Sequence, residues 1–100
     1  MLFVLHCKDG PDGTKLRHEH RPAHLKYLDD AGDRVKLAGP LLSGGEDGKP
    51  IGRLIVVDAA SEAAVKLFAE TDPYAKAGVF ESVTIHPFRP SKGVWPGAGA

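Results

Sequence analysis

One hundred residues with an apolar share of 42% suit one globular domain and leave no room for two independent cores. Thirteen basic residues balance thirteen acidic ones, so no net field draws the chain to nucleic acid or to an anionic membrane. The longest apolar runs, such as Leu54-Ile55-Val56-Val57, are too short to cross a bilayer. A single cysteine, Cys7, excludes an internal disulfide and fits a reducing, cytoplasmic compartment.

Taken in order, Met1-Leu2-Phe3-Val4-Leu5 has no basic region before it and no cleavage site after it, so it reads as a strand and not as a signal peptide. The strand runs from Leu2 to Lys8, with Phe3, Leu5 and Cys7 on one face and Leu2, Val4 and His6 on the other. Asp9-Gly10-Pro11-Asp12-Gly13 is turn chemistry. A helix follows between Thr14 and Ala31. Pro22 either opens the main helix, after a short preceding turn, or kinks a longer one. From His24 onward the spacing places His24, Tyr27, Leu28 and Ala31 on one face, and Gly32 is the expected left-handed stop.

Val35 to Leu42 is the second strand, where Gly39-Pro40 is expected to bend or end the ladder and to shape a pocket floor. Ser43 to Pro50 lacks the spacing of a phosphate-binding loop and reads as a flexible hairpin connection. Ile51 to Asp58 is the third strand. Ser61 caps a second helix reaching about Glu70, with Ala64, Val65, Phe68 and Ala69 inward. Asp72-Pro73 ends it and starts one more turn, capped by Asp72 and stopped by Gly78. Val79 to Phe88 is the fourth strand, setting Val79, Glu81, Val83 and Ile85 against Phe80, Ser82, Thr84 and Phe88.

The order βαββαβ is that of the ferredoxin-like α+β fold: a four-stranded antiparallel sheet with two helices on one face. The strands are apolar on both faces while the helices cover one, which predicts a homodimer packed sheet against sheet. Residues 1–90 would form this domain. The tail 91–100, rich in proline and glycine, would be disordered or held down by Trp95.

Two stretches carry candidate chemistry. His24 follows Pro22 closely. If the helix opens there, its positive end favours a neutral imidazole suited to general-base work. Asp72 is a natural partner for it and an equally natural cap for the Pro73 turn. Arg21 could grip an anionic substrate group, and Tyr74 could offer its hydroxyl to a ligand or pack over the sheet. His20 and His24 have the helical spacing of zinc ligands, but Pro22 lies between them and a third ligand is missing locally, so no metal is expected. Cys7 reads as a buried apolar filler.

Arg21-Pro22-Ala23-His24-Leu25, Ala38-Gly39-Pro40-Leu41, Asp72-Pro73-Tyr74-Ala75-Lys76-Ala77-Gly78, Glu81-Ser82-Val83 and Pro87-Phe88 occur in that order. Together they resemble the YciI-like (YCII-related) domain family, of the dimeric α/β-barrel group of ferredoxin-like folds. The resemblance implies dimerisation through the sheet and a shared histidine and aspartate, which fall on His24 and Asp72. A related member is a dehydrochlorinase, so the resemblance implies proton chemistry of a lyase or isomerase type on a small molecule. In that reading His24 moves the proton and Asp72 orients it. Arg21, Pro40 and Tyr74 line the substrate, and no organic cofactor is called for. The competing expectation is a non-catalytic dimeric module that binds a small ligand or a partner.

Overall fold

The structure, a computed structural model, describes residues 1–93. Trp95 and the rest of the expected tail anchor lie outside the described residues. Strand β1 (Leu2–Asp9) leads into helix α1 (Gly13–Ala31), and a short 3-10 turn (Gly32–Arg34) delivers the chain to β2 (Val35–Leu42). Then follow β3 (Pro50–Asp58), α2 (Glu62–Thr71), the four-residue α3 (Pro73–Lys76) and β4 (Phe80–Phe88). The sheet order is β2-β3-β1-β4, and every neighbouring pair is antiparallel. This is the expected ferredoxin-like arrangement.

Alternation along β1 explains how the core is placed. Phe3, Leu5 and Cys7 are buried and lie opposite Val57, Ile55 and Arg53 of β3. Directly opposed residues share a face, so this row is the one that meets the helices. Ala31 from α1 and Val65, Phe68 and Ala69 from α2 close over it, with Tyr27 and Leu28 packed beside them. Of the four residues expected on the inner face of α2, Ala64 is exposed. Burying each large side chain of this set contributes roughly 1.5–3 kcal/mol.

One alternative is decided and two local expectations are corrected. First, the longer of the two helices that Pro22 allowed is the one formed: α1 runs through Pro22, whose ring lies on the exposed side of the helix. His24 therefore sits about three turns inside the helix, so the charge at the helix N-terminus is too far away to act on it. Second, Gly39-Pro40 neither bends nor ends β2: Gly39 pairs with Leu54 and Pro40 with Arg53 in continuous register. An edge strand tolerates proline because one side of its ladder has no partner. Third, the β1–β4 register skips Glu81, pairing Lys8 with Ser82 and Asp9 with Phe80. That bulge reverses the alternation, so Phe80 joins Val83 and Ile85 against the core.

The other sheet face carries Leu2, Val4, Leu54, Val56, Leu37 and Leu41 by the same register. Among the described residues no helix covers it. At the centre of the sheet Gly52 passes so close to β1 that a Cβ there would strike the carbonyl oxygen of Cys7. Gly52→Ala is expected to destabilise the domain by about 2 kcal/mol through overpacking, read as a lower midpoint in thermal or urea unfolding.

Candidate active site: a buried histidine–aspartate pair

Helix α1 and the corner between α2 and α3 build the site. His24 projects from α1 and is 0% exposed, and Asp72 at the corner is 2% exposed. His24 Nδ1 and Asp72 Oδ1 are 2.7 Å apart. Asp72 caps α3 as expected, because the Tyr74 backbone N–H donates to the same Oδ1 at 3.0 Å. Capping thus fixes the carboxylate that the imidazole meets.

The hydrogen-bond pattern assigns the ring's tautomer. A carboxylate only accepts, so Nδ1 carries the hydrogen that Asp72 receives, and whenever the ring is neutral Nε2 holds the lone pair. Nε2 is buried and has no hydrogen-bond partner among the described residues. Tyr74 stacks on the imidazole, with ring centroids 3.9 Å apart and planes 6° from parallel. Phe80 packs against the tyrosine in a T-shaped pair, with ring centroids 6.0 Å apart. The pair lies in the interior of the fold.

Beneath this pair runs a set of charged side chains that sequence reading missed. Arg17, one heptad before His24 on α1, is buried. Its Nε donates to Asp9 Oδ2 at 2.6 Å, and its Nη2 donates to Asp9 Oδ1 at 3.0 Å and to the Gly52 carbonyl at 2.8 Å. Its guanidinium carbon also stands 5.3 Å from the centre of the Tyr74 ring. Arg53 on β3 is 9% exposed. Burial, and then the neighbouring Arg17 charge, hold its guanidinium below its ordinary pKa, while Tyr74, Asp72 and Cys7 oppose that fall. A signal for both was present. Arg17 recurs seven residues before His24, and Arg53 shares the parity of Ile55 and Val57 on an otherwise apolar strand.

Of the remaining candidates, Arg21 is exposed and lines a small cavity of about 130 Å³ with Thr14, Arg17, His18, Pro50 and Tyr74. Tyr74 thus borders that cavity and covers the imidazole. Pro40 is not on the cavity wall; it is the cross-strand neighbour of Arg53. His20 Nε2 lies 4.0 Å from Glu19 Oε2. Among the described residues, histidine, cysteine, aspartate and glutamate side chains nowhere gather in threes around one point.

Comparison with known proteins bears out the resemblance read from the motifs. The YCII-related domain matches residues 1–89. The protein YciI of Escherichia coli and that of Shigella flexneri are each 34% identical over 96 residues, covering 89% of this chain and 97% of theirs. Among solved structures, a 5-chloro-2-hydroxyhydroquinone dehydrochlorinase from Burkholderia phenoliruptrix, in complex with 2,5-dihydroxybenzoquinone, superposes with a TM-score of 0.85. It is 30% identical, and the match covers 91% of this chain and 96% of that one.

Cys7 borders the charged set but is unsuited to join its chemistry. Burial first, and then the Asp72 charge, push its thiol up to about 12, and a thiol is a poor nucleophile until it ionises. The native protein is expected to be inert to Ellman's reagent in mildly alkaline buffer, with one thiol titrating once guanidinium unfolds the chain.

Proposed function

Because the chain belongs to the YCII-related domain family, we propose that it is a small-molecule enzyme of lyase or isomerase type in which His24 is the general base and Asp72 its orienting partner. The observation that carries this reading is His24 Nε2: a ring nitrogen deep in the fold, without a hydrogen-bond partner among the described residues, on a ring whose other nitrogen meets a carboxylate. An unpaired buried acceptor is costly, and a proton-accepting role accounts for its retention.

The chemistry follows from the tautomer. Nε2 takes a proton from the substrate, and the electron pair left behind either expels an anionic leaving group or moves along the substrate before a proton returns. The first course is elimination and the second isomerisation. The imidazolium formed is stabilised by Asp72 at 2.7 Å, as a carboxylate does for the histidine of a catalytic triad. Nothing in these steps calls for an organic cofactor. The ring is closed to solvent, so a substrate reaches Nε2 when a neighbour moves aside. Tyr74, on the four-residue α3 and bordering the cavity, is the side chain placed to do so. Arg21, at the cavity rim, would meet a polar substrate group on entry, and Pro40, outside that cavity, would border the substrate beside Arg53 once Tyr74 has moved.

The relative that is a dehydrochlorinase supplies the first substrate to try. Wild-type protein is expected to release chloride from 5-chloro-2-hydroxyhydroquinone, and His24→Gln to lose about 10²–10⁴-fold in rate, the span typical of a general base. A measurement independent of substrate uses two-bond ¹H–¹⁵N spectra. These should show His24 protonated at Nδ1 in the wild type and a mixture of tautomers in Asp72→Asn. An unchanged tautomer in that variant would mark the pair as a structural tie between α1 and α3, as its burial also allows, and the chain as a non-catalytic module.

The uncovered apolar sheet face supports a homodimer, and the single buried thiol a cytoplasmic setting. Light scattering is expected to give twice the mass of one chain. Leu54→Glu, a charge in the middle of that face, should give one chain's mass with the fold retained by circular dichroism.

A further inference from the structure

The interior holds two guanidinium groups, and they are in opposite situations. Arg17 is satisfied by both oxygens of Asp9 and by the Gly52 carbonyl. Arg53 is nine-tenths buried, forms no hydrogen bond or ion pair with any described residue, and keeps its Nε sealed from solvent. A buried charge normally survives only when it is paired and hydrogen-bonded. Nothing in the free fold does this for Arg53.

Position gives the missing partner its place. Arg53 lies between Cys7 and Pro40 in the row that faces the helices. Asp72 is close enough for its charge to bear on it, and Asp72 and Tyr74 hold His24. Charge balance then gives the partner its sign. With His24 neutral, Arg17 and Arg53 offset Asp9 and Asp72. Once His24 has taken a proton the set carries one excess positive charge, and the substrate has just become an anion.

We propose that Arg53 is the anion-binding residue of the site, holding an ionised oxygen of the substrate, a phenolate or enolate, while His24 takes the proton. The proposal rests on the proton-transfer reading above and extends it to a substrate class: small planar molecules whose negative charge comes to rest on oxygen. A planar guanidinium whose nitrogens donate to no described residue suits such an oxygen pair.

The test uses 2,5-dihydroxybenzoquinone, an anion at neutral pH, and benzoate as a second planar anion, with binding measured calorimetrically on the full chain. The wild type is expected to bind at least one of them. Arg53→Gln should weaken that binding at least about tenfold, Arg53→Lys less so, and His24→Gln by only a few-fold. The His24 variant separates the two readings, because it removes the base and leaves the anion site. Without ligand, Arg53→Gln should melt at the same temperature as the wild type or a few degrees higher, since an unpaired buried charge has been removed. Equal affinity in Arg53→Gln, no binding of either anion to the wild type, or a melting temperature lowered in both Arg53 variants would overturn the proposal. The last result would make Arg53 a structural counterion of Asp72.

Discussion

The contact between His24 Nδ1 and Asp72 Oδ1 ties the middle of α1 to the corner where α2 turns into α3, 48 residues later. It is made in the interior, where a lost partner cannot be replaced by water. That constraint sets much else around it. Pro73 forces Asp72 out of helical geometry, the α3 cap holds the carboxylate still, and Tyr74 comes to lie flat against the imidazole. One oxygen atom, Asp72 Oδ1, therefore serves as helix cap and as the imidazole's anchor.

Around the pair, a domain of this size keeps two arginines and an aspartate in the interior besides the histidine and Asp72. Each buried ion costs several kcal/mol before its partners offset it, against a net stability of about 5–15 kcal/mol for a typical domain. An apolar interior would be more stable. The set divides into a closed half and an open half. Asp9, Arg17 and the Gly52 carbonyl satisfy one another and lock α1 to β1 and β3. His24 Nε2 and Arg53 Nε are left with unmet hydrogen-bonding capacity. Stability is spent where the open half lies, the pattern expected where function and packing compete.

The apolar sheet and the polar interior end share one scaffold. Phe3, Leu5, Ile55 and Val57 carry the packing at one end of the central strands, and Cys7 and Arg53 carry the row into the charged set two residues later. The chemistry therefore sits on rigid central strands and on α1, while Tyr74 rides on the short α3, where a change of position disturbs least.

The sequence by itself determined the element order, the faces of β1, the stop at Gly32 and the two phrases that carry His24 and Asp72. Each is a matter of local period, turn chemistry or capping, which neighbouring residues decide among themselves. Only the tertiary structure decided that α1 passes through Pro22, that the Glu81 bulge turns Phe80 inward, and that Arg17 and Arg53 lie buried beside the pair. Those outcomes depend on what distant segments bring to the same place. A proline survives within a helix when the packing of the rest outweighs one lost hydrogen bond. An arginine is read as exposed until the fold shows whether an Asp9 reaches it or, as for Arg53, no carboxylate does.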